Sequence, residues 1–335
     1  MFQKDTRIGV LGDGGWGTTL SLLLADKGYA VCLWGVFPGY IEEMRKFREN
    51  NKFLPGLKIP ANVGLTSSLP DVSKASDLLV LAVPAQYLRG VLARLKKEAA
   101  GKKKYVIVAK GIETRSLKTM SQVLHEIFGN VPTAVVSGPN IAREVALKVP
   151  AAASVASREA KFAAQVRQIF ETETFCLFES DDVMGVELGG ALKNVIAIGA
   201  GIAEGMGYGA NTRAVFFARG VAEMARLGKT MGARRETFMG LSGLGDLATT
   251  CLSPHSRNHW LGCEIGKGKR LELILKQTEM VVEGVETTRS AYCLAAKHGV
   301  SMPICQAVYK ILFKKENPRH LIDALWKGGT RREMD

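Results

Sequence analysis

Short apolar, β-branched runs alternate with helically spaced apolar positions from residue 7 to about residue 180. Strands that alternate with helices in this way predict a Rossmann-like, doubly wound α/β sheet of parallel strands. The predicted strands are Arg7–Leu11, Ala30–Trp34, Leu78–Val83, Tyr105–Ala109, Thr133–Ser137, Ala151–Val155 and Phe175–Phe178. The predicted helices between them are Thr18–Lys27, Tyr87–Lys97, Leu117–Phe128 and Glu159–Phe170.

The strand pattern ends after Asp181, and the periodic segments that follow have helical spacing. The predicted helices of this second part are Ala214–Leu227, Glu272–Gln277, Thr287–His298, Ile304–Phe313 and Leu321–Trp326. We therefore predict an α/β domain over residues 1–183 and an all-α domain over residues 184–335.

A glycine-rich motif, G-D-G-G-W-G at residues 12–17, follows the first predicted strand and opens the first predicted helix. In a G-x-G-x-x-G motif, Gly12 allows a tight turn, Gly14 lets a phosphate approach the backbone, and Gly17 lets helix and strand pack closely. A P-loop is excluded because Thr18 stands where that motif needs lysine. A glycine-rich turn without a ligand is the alternative. The matching strand and helix on either side favour dinucleotide binding.

Composition and charge fit a globular protein with two domains. The 335 residues are 47% hydrophobic and 23% charged. The net charge of +13 is spread over both halves, and the basic cluster at residues 94–104 lacks interleaved aromatics. We therefore expect no nucleic acid partner, and a basic surface that attracts small anionic substrates.

The most apolar stretch, residues 185–209, contains Glu187, Lys193 and Glu204. These charges argue against insertion into a membrane. The first strand begins by Ile8, which leaves no room for a signal peptide, so we expect a cytoplasmic protein.

The six cysteines lack the density of a disulfide scaffold and are predicted to be reduced thiols. Cys251, His255, His259 and Cys263 recur every four residues, which on one helix would form a stripe of metal ligands. Pro254 interrupts such a helix, and the spacing matches no common zinc pattern. No metal site is therefore expected.

Several predicted strands end in small or polar residues at the edge where open α/β sheets bind ligands. The sequence V-P-A-Q at residues 83–86, Lys110-Gly111, and S-G-P-N at residues 137–140 occupy these positions. Lys110 directly follows an apolar strand and is predicted to point into a cofactor cleft. The alternative is an ordinary surface lysine.

A lysine lies within an apolar helical stretch at residues 187–198. The apolar arc of this helix contains Leu188, Leu192, Val195, Ile196, Ile198 and Ile202. Lys193 falls outside that arc, on a face of small residues formed by Gly189, Gly190, Ala197 and Ala200. A buried ammonium loses its proton more easily, so Lys193 is a candidate general acid/base. The alternative is a structural lysine paired with a carboxylate such as Asp246.

A third candidate site combines G-L-S-G-L-G-D at residues 240–246 with Ser256, Arg257 and Asn258. The planar guanidinium suits a phosphate, and the serine and asparagine can complete its hydrogen-bonding shell. Taken individually, a helix cap at Asp246 and a surface turn at Ser256 explain these residues better.

Together these segments resemble NAD(P)-dependent glycerol-3-phosphate dehydrogenases of the bacterial type, from Ile8 to about Leu325. The matching motifs are G-D-G-G-W-G-T, L-W-G at 33–35, N-K-F-L-P at 51–55, A-K-G at 109–111, S-G-P-N at 137–140, E-L-G-G-A-L-K-N-V at 187–195, G-L-G-D-L at 243–247, S-R-N at 256–258 and V-V-E-G at 281–284.

The resemblance implies reduction of dihydroxyacetone phosphate to sn-glycerol 3-phosphate for phospholipid synthesis, with Lys193 as the catalytic acid/base. It also implies a homodimer. The substrate-binding positions that it implies are Lys110, Gly138, Asn140, Lys193, Asp246, Ser256, Arg257 and Asn258. The cofactor-binding positions, from the motif and the resemblance together, are Gly12, Gly14, Gly15, Trp16, Gly17, Val36, Lys110, Ala142, Arg257, Val281 and Glu283.

Two positions depart from the family pattern. Val36 stands where relatives often have histidine or arginine near the adenosine ribose, and no acid occurs from Leu33 to Ile41. NADPH is therefore favoured over NADH, with a 2′-phosphate partner expected among Arg45, Lys46, Arg48 and Lys52. Asn140 stands where bacterial relatives often have serine or threonine, and it remains a hydrogen-bond donor.

Two other functions remain open from the sequence. One is a related β-hydroxyacid or ketopantoate-reducing dehydrogenase, whose substrate would not need the phosphate-binding residues. The other is a cofactor-sensing regulator that binds NADPH without catalysis.

Overall fold

The computed structural model describes residues 5–98, 103–253, 256–278 and 280–322. These residues form two compact units. Unit one holds the described residues of Met1–Ala109 and Met120–Val183, and unit two those of Lys110–Thr119 and Met184–Asp335. The segment 110–119 thus belongs to unit two, whereas the division predicted from the sequence assigns it to the α/β domain.

Unit one is built on an eight-stranded sheet with the order β10-β9-β8-β7-β6-β1-β2-β5. The strands are β1 Arg7–Leu11, β2 Ala30–Trp34, β3 Glu49–Asn50, β4 Leu54–Lys58, β5 Val63–Thr66, β6 Leu78–Leu81, β7 Lys104–Ile107, β8 Thr133–Ser137, β9 Ala151–Ala156 and β10 Phe175–Ser180. The helices of this unit are α1 Gly15–Asp26, α2 Pro38–Phe47, α3 Leu69–Lys74, α4 Ala85–Glu98, α5 Met120–Phe128, α6 Ala142–Ala146 and α7 Ala160–Phe170. Strands β3 and β4 form a separate antiparallel pair.

The sheet order reverses direction between β1 and β6. From β1 the chain builds outward through β2 and β5, then returns to β6 and builds outward on the other side through β7 and β8. Such a reversal is the topological switch point at which open α/β sheets bind ligands. The glycine-rich motif follows β1 and therefore lies at this point.

The prediction of a doubly wound α/β fold is confirmed, but the sheet is not parallel throughout. Strand β9 runs antiparallel to β8, while every other neighbouring pair in this sheet is parallel. The connection from β8 to β9 contains only the five-residue helix α6. A parallel return needs a longer crossover, usually with a full helix, so the chain reverses instead.

The predicted helix Leu117–Phe128 begins later, at Met120, because Leu117 has a positive φ of 58° that a helix does not accept. The elements α2, β3, β4, β5 and α3 were not predicted. Their segments are short and interrupted by proline and glycine, as in L-P-G-L-K of β4.

Unit two is helical. Its helices are α8 Val183–Gly205, α9 Ala210–Thr230, a 3₁₀ helix at Arg235–Met239, a π-helical turn at Leu241–Gly245, α10 Asp246–Leu252, α11 Arg257–Gly266, α12 Leu271–Leu275, α13 Glu283–His298 and α14 Pro303–Lys314. Of the predicted helix Leu321–Trp326, only the first two residues are among those the structure describes.

Helix α8 is the core of unit two. It is long and apolar enough to cross a bilayer, but its apolar stretch is entirely buried inside the protein. A long, mainly apolar helix that is buried along most of its length is typical of the centre of a helical domain.

Helices α8 and α11 contact each other backbone to backbone along a glycine seam. The glycines of this seam are Gly201 and Gly205 on α8, and Gly262 and Gly266 on α11. A Cβ atom built on Gly201 would lie 2.2 Å from the carbonyl oxygen of His259, and each of the other three glycines is equally close to a carbonyl of the opposite helix. No side chain fits between these helices, so the seam fixes their spacing.

Candidate active site

The glycine-rich loop of unit one has an open surface at its centre. Gly12 has a φ of +121°, and a Cβ there would lie 2.6 Å from the carbonyl oxygen of Ala82. A Cβ on Gly17 would lie 1.9 Å from the carbonyl oxygen of Gly12, whereas a Cβ on Gly14 would meet no atom of the described part of the chain within 4 Å. Helix α1 begins next to this opening, and no side chain of the described residues caps its N-terminus. The loop can therefore hold an anionic group such as a dinucleotide pyrophosphate against helix N–H groups.

The side chain of Asn50 holds this loop in place. Asn50 is fully buried, and its amide group donates hydrogen bonds to the carbonyl oxygen of Asp13 and to Thr18 Oγ1, both at 2.7 Å. Its oxygen accepts from the Tyr40 hydroxyl at 2.6 Å and from the Phe53 N–H at 3.0 Å. All four hydrogen-bonding positions of the amide are used, so Asn50 is a rigid support for the motif. It was not predicted.

Of the three predicted site residues that follow β8, namely Gly138, Asn140 and Ala142, Ala142 contacts the start of α1. Ala142 begins α6, and its carbonyl oxygen accepts a hydrogen bond of 2.9 Å from Thr19 Oγ1 on α1. A Cβ built on Gly15 would lie 3.7 Å from the Ala142 Cβ. Gly138 instead packs against β9, with Ala153 Cα 2.7 Å from the position of a Cβ. Asn140 lies half-buried in the loop between them.

Trp16 faces β10 through its ring. The indole of Trp16 packs edge-to-face on Phe175, with 6.2 Å between ring centroids. Its backbone lies in the first turn of α1, directly after Gly15.

Two of the four candidate partners for a ribose 2′-phosphate are engaged by the protein itself. Arg45 donates two hydrogen bonds to the carbonyl oxygen of Leu65, at 3.0 and 2.6 Å. Arg48 donates to the carbonyl oxygens of Ile59, Pro60 and Val63. The two candidate lysines lie over aromatic rings, Lys46 over Phe47 and Lys52 over Phe53. Val36 is 46% exposed in the loop after β2.

Unit two contains a lysine–aspartate cluster, formed by Lys110, Lys193, Asp246 and Thr250. The Lys193 ammonium lies 3.0 Å from Asp246 Oδ1 and donates to Thr250 Oγ1 at 2.6 Å. The Lys110 ammonium lies 2.7 Å from the other carboxylate oxygen, Asp246 Oδ2. One carboxylate thus holds two ammonium groups, and both lysines predicted from the sequence meet at it.

Local structure explains how these four side chains converge. Lys193 lies in the middle of α8, and the π-helical turn that precedes Asp246 packs on that helix, with Ser242 O 2.7 Å from a Cβ built on Gly189. Asp246 and Thr250 are four residues apart on α10 and so share one face. Single π-helical turns of this kind occur frequently at functional sites.

The segment that holds Lys110 is fixed to the helices of unit two. Its neighbour Ile112 is fully buried in the helical core, and Ser290 on α13 donates a 3.0 Å hydrogen bond to the Ile112 carbonyl oxygen. This anchoring brings Lys110 to Asp246 across 136 residues of sequence.

The lysine–aspartate cluster is buried and carries more positive than negative groups. The side chains of Lys193 and Asp246 are 9% and 4% exposed, and that of Lys110 is 17% exposed. Burial lowers the pKa of Lys110 to about 8; the Asp246 carboxylate opposes this shift and the Lys193 ammonium adds to it. Two ammonium groups against one carboxylate leave a net positive charge when all three are ionised, which favours an anionic ligand.

The segment predicted to bind phosphate begins α11. Ser256 caps this helix, accepting from the His259 N–H at 3.2 Å, which is a cap rather than the surface turn considered from the sequence. Arg257 is exposed and donates to the carbonyl oxygen of Val281 at 2.6 Å. Glu283, which follows Val281 closely in the sequence, is the first residue of α13.

Asn258 forms a hydrogen bond with Asn194, the residue that follows Lys193 on α8. Its amide group donates to Asn194 Oδ1 at 2.8 Å, and its oxygen accepts from the Gly284 N–H at 3.0 Å. Asn194 directly follows Lys193 on α8. Asn194 and Thr250 were not predicted, and the only sequence signals for them are the K-N pair and the four-residue spacing from Asp246.

Comparisons with known proteins agree along both units. The model of the NAD-dependent glycerol-3-phosphate dehydrogenase N-terminus matches residues 7–163, and that of the C-terminus matches residues 182–323. The glycerol-3-phosphate dehydrogenase [NAD(P)+] of Syntrophotalea carbinolica is 46% identical over 98% of this chain and 99% of its own length. That of Geobacter sulfurreducens is 46% identical over 94% of this chain and 95% of its own length.

A solved structure supports the same assignment. The crystal structure of glycerol-3-phosphate dehydrogenase from Coxiella burnetii has a TM-score of 0.93 and 33% identity, and covers 97% of this chain and 99% of that one. Both family models and the full-length relatives are glycerol-3-phosphate dehydrogenases. They favour this enzyme over the ketopantoate-type dehydrogenase and over the regulator without catalysis. The chain therefore belongs to the NAD-dependent glycerol-3-phosphate dehydrogenase family.

Proposed function

We propose that the protein interconverts dihydroxyacetone phosphate and sn-glycerol 3-phosphate with NAD(P)H or NAD(P)+, and that Lys193 is the acid/base. The observation that supports this most is the buried lysine–aspartate cluster, in which one carboxylate holds Lys193 and Lys110 together. A carbonyl reduction needs a proton donor at the oxygen, and an anionic substrate needs fixed positive charge. The cluster offers both.

The dinucleotide is assigned to the glycine-rich loop of unit one. The opening at Gly14 and the uncapped N-terminus of α1 fit a pyrophosphate, and Asn50 keeps the loop rigid. When bound, NAD(P)H supplies the hydride that adds to C2 of the ketone. Ala142, Val281 and Glu283 remain predicted cofactor contacts from the resemblance.

A matched pair of substitutions separates cofactor binding from folding. Gly14→Ala should leave the melting temperature unchanged, because its Cβ meets no atom of the described residues within 4 Å. The added methyl group should keep the phosphate from approaching the backbone, so that one hydrogen bond to it is lost. A hydrogen bond to a charged phosphate contributes about 1.5–3 kcal/mol, so NADPH binding should weaken roughly 10- to 150-fold. Gly17→Ala should lower the melting temperature as well, because its Cβ would clash with the Gly12 carbonyl at 1.9 Å. Fluorescence titration of NADPH and thermal melts measure the two effects. Unchanged NADPH affinity in Gly14→Ala would place the pyrophosphate elsewhere.

In the reductive direction, Lys193 donates its proton to the oxygen that develops negative charge at C2. The oxygen gains an O–H bond, and Lys193 is left neutral until it takes a proton back from water. Asp246 and Thr250 hold the Lys193 ammonium in one position, at 3.0 and 2.6 Å. In the oxidative direction the same lysine, when neutral, accepts the hydroxyl proton.

The substrate phosphate is assigned to Arg257 and its neighbours. Arg257 is exposed at the start of α11, where the helix N-terminus adds partial positive charge. Asn258 and Ser256 use part of their hydrogen-bonding capacity within the protein. Both can still donate through the second amide proton or the hydroxyl proton. Gly138 and Asn140 of unit one remain predicted substrate contacts.

The pH dependence of catalysis should reveal Lys110. Its pKa is about 8, so its ammonium is lost as the pH rises through that value, and with it one positive charge for the substrate. We expect kcat/KM for dihydroxyacetone phosphate to fall above pH 8, approaching about tenfold per pH unit. An arginine stays protonated throughout this range, so the Lys110→Arg variant should lose this fall even if its maximal activity is lower. Identical profiles for the two proteins would assign the titration to another group.

An assay with dihydroxyacetone phosphate and either NADH or NADPH tests the proposed reaction directly. We expect oxidation of the nicotinamide, followed by its absorbance, with NADPH preferred because no acidic side chain follows β2 before Glu42. Binding of NADPH without turnover would instead indicate a regulator. Turnover of ketopantoate but not of the triose phosphate would indicate the related dehydrogenase.

We further propose that the enzyme acts in the cytoplasm as a homodimer, without membrane insertion, and supplies the backbone for glycerophospholipids. The resemblance of the whole chain to the family supports these assignments. Light scattering of the purified protein measures the oligomeric state.

A further inference from the structure

A second group of reactive side chains lies in unit two, apart from the lysine–aspartate cluster. It consists of Glu204 in the last turn of α8, and His259 and Cys263 on α11. One ligand atom from each residue can be chosen so that all three lie within 4.8 Å of one another. His259 Nε2 is 3.3 Å from Glu204 Oε2, and the Cys263 sulfur is 3.9 Å from both ring nitrogens of His259.

The arrangement differs from the ligand stripe considered from the sequence. Cys251 lies on α10, which ends at Leu252, so it does not share a helix with His259 and Cys263. His255 lies outside the described residues. The third member is Glu204, which comes from a different helix and could not be found from spacing. The histidine and cysteine are one turn apart on α11 and face the same side, as in H-x-x-x-H zinc motifs.

Thiolate, imidazole and carboxylate are together the ligand types that zinc and similar transition metals prefer. Zinc–ligand bonds of about 2.0–2.3 Å in a tetrahedron place neighbouring ligand atoms roughly 3.3–3.6 Å apart. The observed separation of 3.3 Å between His259 and Glu204 lies in this range, and the separation of 3.9 Å between Cys263 and His259 is slightly longer. The sulfur and the carboxylate oxygen are at most 4.8 Å apart, so rotations of the side chains must bring the three ligand atoms around one ion. We propose that Glu204, His259 and Cys263 bind one Zn²⁺-like divalent transition-metal ion, with water as the fourth ligand.

The backbone around this site is already fixed. The glycine seam holds α8 and α11 in contact, and the carbonyl oxygen of His259 itself lies against Gly201. The metal would therefore join two helices whose spacing does not need to change. The His259 side chain is 12% exposed and that of Glu204 is 40% exposed, so the ion can enter from the glutamate side. Binding converts the Cys263 thiol to a thiolate and releases its proton to solvent.

Arg213 competes with the metal for the carboxylate. Its guanidinium lies 3.1 Å from Glu204 Oε2, the same oxygen that faces His259. The ion must displace this contact or use the other carboxylate oxygen. Arg213→Gln should therefore tighten metal binding, whereas a purely structural cluster would show no such gain.

The test is titration of the metal-free, full-length enzyme with Co²⁺, which gives a near-ultraviolet charge-transfer absorption when a thiolate binds it. We expect one equivalent of Co²⁺ to produce this absorption and Zn²⁺ to abolish it by displacement. Cys263→Ser and His259→Gln should remove the absorption. Cys176→Ser and Cys293→Ser are the matched controls, because both cysteines are exposed thiols on other elements, and each should retain it.

The result is decisive in either direction. Absorption that is absent at stoichiometric Co²⁺ in the wild-type enzyme, or that persists in Cys263→Ser, would overturn the proposal. Thermal melts provide a second measurement, since a ligand that binds only the folded state raises the melting temperature. Zn²⁺ should raise the melting temperature of the wild-type enzyme and of Cys293→Ser, but not that of Cys263→Ser.

Discussion

Replacement of Lys193 by methionine should lower kcat by about 10²–10⁴-fold, the usual contribution of a positioned acid/base group. The ammonium is the proposed proton donor and is buried in the lysine–aspartate cluster, and methionine fills a similar volume without a proton to give. Asp246 keeps Lys110 as a partner in this variant, so the carboxylate is not left unpaired. Stopped-flow or steady-state reduction of dihydroxyacetone phosphate at saturating NADPH measures the loss.

Two further measurements separate a chemical role for Lys193 from a structural one. NADPH affinity should be unchanged, because Lys193 is not among the predicted cofactor contacts and the pyrophosphate is assigned to the glycine-rich loop. Lys229→Met, at an exposed position on α9, should behave as the wild-type enzyme. Added primary amines should restore part of the activity of Lys193→Ala, which a merely structural lysine would not allow. Near-normal turnover of Lys193→Met would remove this residue from the mechanism.

Replacement of Arg257 by alanine should raise the KM for dihydroxyacetone phosphate by about 10²–10⁴-fold, since two hydrogen bonds between charged groups contribute about 3–6 kcal/mol. The guanidinium is exposed, and among the described residues it donates one hydrogen bond, to the Val281 carbonyl. Its remaining donors suit a phosphate, which it can bind in a bidentate manner. The effect should fall mainly on KM, because the phosphate takes no part in the bonds that change at C2.

Two control variants test whether the effect depends on the guanidinium group and on its position at residue 257. Arg257→Lys should recover only part of the affinity, because an ammonium cannot reproduce the planar fork of the guanidinium. Arg270→Ala, at an exposed position before α12, should leave the KM unchanged. If Arg257→Ala keeps the wild-type KM, the phosphate binds elsewhere or the substrate has none.

Much of unit one could be predicted from local sequence pattern. Each predicted strand is present, because a buried strand needs a run of apolar residues that is visible in the sequence. The direction of β9 could not be predicted, since periodicity is the same in parallel and antiparallel strands. Residues 49–66 were missed because β3, β4 and β5 are short and lack a continuous apolar run.

In the candidate site too, features that depend on the local sequence could be predicted, and contacts between residues far apart in the sequence could not. The burial of Lys193 and its pairing with Asp246 could be anticipated from a lysine in an apolar helix. The roles of Asn50 and Asn194 could not, because each depends on hydrogen bonds to residues far away in sequence. The same is true of Arg45, whose guanidinium binds a backbone carbonyl of β5. Positive charge in a sequence does not reveal whether it is already engaged.

The glycine seam has a consequence for anyone who engineers this enzyme for heat resistance. Exchange of a helical glycine for alanine ordinarily adds about 0.5–1 kcal/mol of stability, by restricting the unfolded chain. Gly90 on α4 is open to that strategy, as a methyl group there meets no atom within 4 Å in the part of the chain that the structure describes. Gly262 is not, because the methyl carbon would lie 2.2 Å from the Ile198 carbonyl oxygen and push two core helices apart. Consensus or propensity rules that treat both glycines alike would strengthen the protein at one position and break it at the other.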